Sequence, residues 1–226
     1  MKGNSGLEAL IFDMDGVLVD SNPYHIQNWM AFLDARGIAY DPAALPKQIL
    51  GQRNDNLFRA FFGPEKVEKE FDRLSDELEK GFRHAFLPDA KPLPGLARLI
   101  EECHGTGIPM AVASSAGPEN VHFIVDVLKF RPYFRSLLSG AEVTHPKPHP
   151  EIYLKSAEKL GIEPACCVAF EDSFVGLESA SRAGMKVVAI ASTFPWEELE
   201  QHGHADLVVG SFEELSLGSL RQLFGE

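Results

Sequence analysis

Cysteine is scarce in this chain, and the three present, Cys103, Cys166 and Cys167, cannot build a disulfide framework. The last two adjoin one another inside an apolar run, the pattern of buried thiols in a reducing compartment. Long apolar runs are missing as well, so no membrane-spanning segment is expected. The first apolar stretch is cut by Asp13 and Asp15, which argues against a signal peptide. A cytoplasmic protein with no membrane partner is the expectation. Basic residues are in the minority, 21 Lys and Arg against 33 Asp and Glu, for a net charge of −12. That balance excludes a general nucleic-acid binder. It also means that a phosphorylated ligand needs a locally positive pocket. No internal repeat or low-complexity segment occurs.

What is present is organised in two rhythms. Leu7–Phe12 reads as a buried strand that ends at Asp13-Met14-Asp15-Gly16. From Ser21 to about residue 88 the pattern is helical throughout. Ile26, Trp29, Met30 and Leu33 recur at helix spacing, with Gly37 as a stop. Asp41-Pro42 reads as a helix start, and Gly63-Pro64 opens the stripe Val67, Phe71, Leu74, Leu78, Phe82. A proline-rich hinge, residues 88–95, follows. Beyond it helices (95–104, 118–128, 150–160, 174–183) alternate with strands (109–114, 136–139, 166–170, 186–190), and strand 206–209 precedes a C-terminal helix. Such alternation predicts an α/β fold: a Rossmann-like, doubly wound parallel sheet covered on both faces. The first strand must join that sheet, so residues 1–20 and 89–226 form the core domain and 21–88 an inserted all-helical cap domain.

Ligands of doubly wound sheets bind beyond the carboxyl ends of the strands. The residues there are Asp13 and Asp15, Ser114 and Ser115, Glu171 and Asp172, with Lys147 in the loop before helix 150–160. Paired carboxylates are costly without a cation or chemistry to explain them. Together with a hydroxyl and a lysine they suit phosphoryl transfer. One carboxylate attacks phosphorus, giving an aspartyl-phosphate, and a second moves the proton of the leaving oxygen. Mg²⁺, a hard cation, takes oxygen ligands, and Asp172 and Asp13 with the backbone carbonyl of Asp15 are the natural set.

Four stretches now stand in order: Asp13-Met14-Asp15-Gly16, Ala111-Val112-Ala113-Ser114-Ser115, Lys147-Pro148-His149-Pro150-Glu151-Ile152-Tyr153 and Phe170-Glu171-Asp172-Ser173. With them the chain resembles the haloacid dehalogenase superfamily, in the subgroup with a helical cap, over nearly its whole length. The resemblance implies Asp13 as nucleophile, Asp15 as acid and base, and Ser114 and Lys147 on the transferring phosphoryl group, beside Ser115. It implies Mg²⁺ on Asp13 and Asp172, with Glu171 supporting a metal-bound water. Asp15 selects phosphate esters, since the dehalogenases lack this second aspartate and phosphonate-cleaving relatives carry alanine. Tyr24-His25 and Gly51-Gln52-Arg53-Asn54 resemble cap segments of β-phosphoglucomutases, which makes His25 and Arg53 candidate substrate contacts. Leu78 and Pro118 stand where those mutases carry a lysine and an asparagine.

The expected activity is therefore Mg²⁺-dependent hydrolysis of a small phosphorylated metabolite, a sugar phosphate, by a monomeric protein. The rivals are a β-phosphoglucomutase, interconverting β-glucose 1-phosphate and glucose 6-phosphate, and a non-catalytic protein that binds phosphometabolites. Plainer readings exist for single residues. Asp13 and Asp15 are also turn formers, Ser114 a strand-end cap, and Glu171-Asp172 a helix cap. Arg53 also suits a surface ion pair and His25 a helix face. His145 and His149 flank Lys147 like a transition-metal pair, although a proline-bounded surface loop accounts for them.

Overall fold

The apolar N-terminal run becomes the middle of a sheet. The structure, a computed structural model, describes residues 6–226. Strand β1 (Ala9–Phe12) is followed by helices α1 (Asn22–Asp34), α2 (Leu45–Ile49), α3 (Asn54–Phe62) and α4 (Pro64–Phe86). The chain then alternates: α5 (Leu96–Gly105), β2 (Met110–Ala113), α6 (Pro118–Val127), β3 (Phe134–Leu138), α7 (Glu151–Leu160), β4 (Cys167–Glu171), α8 (Phe174–Arg182) and β5 (Lys186–Ile190). It closes with α9 (Trp196–His202), β6 (Leu207–Val209) and α10 (Leu217–Gln222). The six strands lie in the order β3-β2-β1-β4-β5-β6, every neighbouring pair parallel. The α/β, doubly wound sheet expected from the alternation is the one observed.

Period-two alternation sorts the strand residues onto two cores. Ala9, Ile11, Ala111, Ala113, Cys167, Ala169, Val187 and Ala189 face one side, where Ile152, Tyr153 and Ala157 of α7 and Leu177 and Ala180 of α8 pack. Small side chains there let those two helices sit close to the sheet. Leu10, Phe12, Met110, Val112, Phe170, Val188 and Ile190 face the other side, against α5, α6 and α10. Phe12 and Phe170 stack there at 4.6 Å between ring centroids. All three cysteines are buried, as thiols.

In the helical segment the stripe of α4 is inward-facing, with Val67, Leu74, Leu78 and Phe82 buried and Phe71 half-buried. Two expectations change. Asp41-Pro42 forms a turn, in which Asp41 Oδ1 accepts the Ala43 N–H at 2.9 Å, and α2 begins only at Leu45. Between β5 and β6 the chain also inserts α9. Its short sequence, Trp196–His202, carries one buried residue, Leu199, too little for a periodic signal.

Candidate active site

In this strand order β1 and β4 flank the point where the chain direction across the sheet reverses, the place where doubly wound folds bind ligands. Asp13 follows β1, Glu171 ends β4 and Asp172 follows it. After Asp13 the chain curls: Gly16 N–H donates to Val19 O at 2.8 Å and Leu18 N–H to Met14 O at 2.8 Å. Gly16 sits at φ +75°, and a Cβ there would fall 1.9 Å from Asp172 Oδ2, so this turn admits only glycine. The same logic applies to Gly176, in the first turn of α8, where a Cβ would meet the Glu171 carboxylate at 2.0 Å. Gly176→Ala is expected to cost about 1–3 kcal/mol by overpacking. For a chain of this size that is a fall in Tm of roughly 3–10 °C, readable by thermal unfolding followed by circular dichroism.

Lys147 joins the two strand ends. Its ammonium donates to Asp13 Oδ1 at 2.8 Å, Glu171 Oε1 at 2.6 Å and the Ala113 carbonyl at 3.1 Å, and all three charged groups are buried. Tyr153 donates its hydroxyl to the same Glu171 oxygen at 2.6 Å. Burial beside Glu171 pushes the phenol's pKa well up, so it stays a donor. Asp172 Oδ2 accepts from Asn22 Nδ2 at 2.8 Å and from the Thr193 hydroxyl. Helix α8 is capped by Ser173, whose hydroxyl accepts the Gly176 N–H, so Asp172 is left free of that task.

Asp15 lies in a separate environment. Ser21 Oγ donates to its Oδ1 at 2.5 Å, and His25 Nε2 approaches the same oxygen at 3.0 Å. The imidazole is fixed by stacking on Phe82, with ring centroids 3.8 Å apart. Burial works to raise the Asp15 pKa, but the charge and hydrogen bond of His25, with that of Ser21, outweigh it and hold the carboxyl low. His25 moves the other way: burial opposes its charge, and Asp15 with Glu79 more than compensates.

One oxygen from each of Asp13, Glu171 and Asp172 can be chosen so that the three lie within 4.8 Å of one another. An all-oxygen donor set of this kind suits Mg²⁺. The charge balance fits it too, because four carboxylates face one ammonium and one imidazole. Protein alone leaves that excess uncompensated: burial, with Glu171 nearby, pushes Asp13 up to about 7 despite Lys147, and burial with Glu171 and Asp13 raises Asp172 well above the carboxylate range. A divalent cation relieves the same strain that protons otherwise relieve. The second ligand-type group, His145, His149 and Glu151, is on the surface of the Lys147 loop. Its carboxylate is already taken by Lys155 and by the N–H groups of Thr144 and His145.

A cavity of about 60 Å³ lies between the helical segment and the sheet, lined at one end by Asp13, Asp15 and Ser114. That is far below the roughly 300–1,000 Å³ of pockets that bury drug-sized ligands. Ser114 is buried, its Oγ accepting the Ala116 N–H at 3.1 Å, and Ser115 Oγ donates to the Gly51 carbonyl at 2.9 Å, tying the loop before α3 to β2. His25 lines the cavity and Arg53 does not. The Arg53 guanidinium pairs with Asp55 and donates to the carbonyls of Gly140 and Val143 at 3.1 and 2.9 Å. Sequence reasoning missed Ser21, Asn22, Tyr153, Thr193 and Glu79. Thr193 follows the end of β5, so the strand-end rule could have found it.

The description "Haloacid dehalogenase-like hydrolase" matches residues 10–190. The chain belongs to this family of hydrolases. It is 31% identical over 182 residues to fructose-1-phosphate phosphatase YqaB of Escherichia coli (strain K12), covering 80% of this chain and 95% of that one. It is 28% identical to hexitol phosphatase B of the same organism, covering 94% and 96%. A β-phosphoglucomutase from Clostridium difficile superposes with a TM-score of 0.84 at 26% identity, covering 97% of each chain. The β-phosphoglucomutase-like subgroup of the haloacid dehalogenase family is thus the chain's place.

Proposed function

We propose that this haloacid dehalogenase-family hydrolase is a Mg²⁺-dependent phosphomonoesterase acting on sugar phosphates through a phosphorylated Asp13. The observation that carries the reading is the convergence of Asp13, Glu171 and Asp172 at the switch point, the first two held by Lys147, with Asp15 held separately beside them. The names of the two phosphatase relatives support a sugar phosphate as the substrate class.

Asp13 attacks phosphorus while Lys147 holds the nucleophilic carboxylate in place and, with Ser114, takes the phosphoryl oxygens. Asp13 and Asp172 would hold Mg²⁺ with the backbone carbonyl of Asp15, and Glu171 would support it. Bound there, the cation supplies charge neutralisation for the transferring group. Asp15 protonates the leaving oxygen and then takes the proton of the attacking water. His25 and Ser21 hold it ionised, the form the second step needs. An incoming phosphate dianion pushes it toward the acid, the form the first step needs. The helical segment 21–88 acts as a cap over the core formed by residues 1–20 and 89–226. It must open to admit a sugar phosphate to so small a cavity, and its closure excludes water.

The test is phosphate release from a panel of sugar phosphates with Mg²⁺ and with EDTA. Turnover should require the metal. Mg²⁺ at a hundred times its Kd should also stabilise the protein by about 2.7 kcal/mol, a rise in Tm of roughly 5–10 °C, and Asp172→Ala should lose most of that rise. Turnover unaffected by EDTA would refute the metal dependence. Absence of turnover on every ester would leave the non-catalytic reading, and glucose 6-phosphate formed from β-glucose 1-phosphate without matching free phosphate would establish the mutase.

A further inference from the structure

Helix α4 lines the cavity with Leu78, Glu79 and Phe82, and the charged side chain among them is Glu79. Its two oxygens accept hydrogen bonds from the amide groups of Asn54, at the start of α3, and Asn120, in α6. Burial pushes the Glu79 pKa up from the ordinary carboxylate value, and the charge of His25 with these two amide donors opposes it; two donors on two oxygens is the bonding that favours the ionised carboxylate. Asn120 is in turn oriented by Arg83, whose Nη1 donates to its Oδ1 at 2.6 Å. The neighbouring arginines, Arg53, Arg59 and Arg83, line a second cavity that Asn54 and Glu79 also border. Arg53 is engaged by Asp55 and two carbonyls, Arg83 by Asn120, and exposed Lys80 by Asp76 at 2.6 Å. Position 78, the neighbour of Glu79 on α4, is a buried leucine. Among the described residues no lysine or arginine lines this cavity, whose cap-segment lining offers Glu79, the amides of Asn28, Gln52 and Asn54, and the apolar side chains of Trp29 and Leu57.

We propose that Glu79 is a specificity-determining residue: it selects esters whose remainder is uncharged and rich in hydroxyl groups, sugar or polyol monophosphates, and turns away esters that carry a second phosphate or a carboxylate. This rests on the phosphatase reading above and narrows it. A hydroxyl donates to the carboxylate and accepts from the side-chain amides beside it. A second anion meets a like charge, because the one cationic group that lines the cavity, His25, is paired with Asp15 at 3.0 Å, and in a water-poor site that repulsion is little screened. Discrimination here comes from the repulsive element as much as from the attractive one.

The experiment compares kcat/KM for fructose 1-phosphate and fructose 1,6-bisphosphate, with Mg²⁺, in the natural chain, Glu79→Gln and Glu79→Asp. The natural chain should favour the monophosphate by about thirtyfold or more. Glu79→Gln should bring that preference below about fivefold, chiefly by lowering KM for the bisphosphate, and Glu79→Asp, which keeps the charge, should retain most of it. A purely structural role for Glu79 would lower both activities together and leave the ratio unmoved, which overturns the inference while the phosphatase reading stands. So does a natural chain that takes both esters equally. Phosphate released from neither ester by the natural chain sinks the sugar-phosphate reading first and this inference with it. If thermal unfolding shows that Glu79→Gln does not fold, Glu79→Ala, which removes charge and acceptor together, gives the same ratio test.

Discussion

Asp13→Asn is expected to lower kcat for a sugar phosphate by about 10⁴–10⁶-fold, as removal of a catalytic nucleophile does elsewhere. The amide cannot form the phosphoaspartate, and no other group replaces it, because Lys147 holds the Glu171 carboxylate against itself and Tyr153. The substitution should leave the fold intact. Asparagine has nearly the same shape, Lys147 keeps Glu171 and the Ala113 carbonyl, and one of the charges that push up Asp172 disappears. Phosphate release measured beside the thermal midpoint separates the two effects. Turnover within tenfold of the natural chain, in a folded variant, would remove Asp13 from the nucleophile's role.

The second large effect belongs to Asp15→Ala, and it depends on the leaving group. A sugar alkoxide is a poor leaving group and needs its proton, so kcat/KM for a sugar phosphate should fall by about 10²–10⁴-fold. p-Nitrophenolate leaves without help, so p-nitrophenyl phosphate should still phosphorylate Asp13. Hydrolysis of the phosphoenzyme also needs a base at this position, so it should become slow. Rapid mixing should then show a burst of p-nitrophenolate close to one equivalent of enzyme, followed by slow turnover. Equal losses on both esters and no burst would show that Asp15 does not handle the proton. The contacts from Ser21 at 2.5 Å and His25 at 3.0 Å are the structural reason to expect a dedicated proton group here.

Much of the fold is legible in the sequence. The sheet could be read because strands and helices announce themselves by local period, and because parallel strands require covered faces. Asp13, Asp15, Ser114, Glu171 and Asp172 could be collected because each stands at a strand's carboxyl end, a position that topology makes common to all of them. Helix α9 escaped because one buried side chain sets no rhythm. Arg53 reads in the sequence as a substrate contact or half of a surface ion pair; it pairs with Asp55, meets the carbonyls of Gly140 and Val143, some ninety residues on, and does not line the cavity. Asn22 and Asp172, 150 positions apart, share a hydrogen bond that no spacing rule suggests.

The alternation of strands and helices was thus enough to determine the fold class, and the paired aspartates with the later strand ends to point to phosphoryl transfer, because both depend on local pattern and on order along the chain. Which side chain of α4 lines the cavity was decided only in three dimensions. The rotation of α4 against the sheet follows from how the stripe Val67 to Phe82 packs, and that rotation turns Glu79 toward Asn54 and Asn120 while Lys80 is left outside. Side chains adjacent in sequence on a helix point about 100° apart, so a single residue's step separates the cavity wall from solvent.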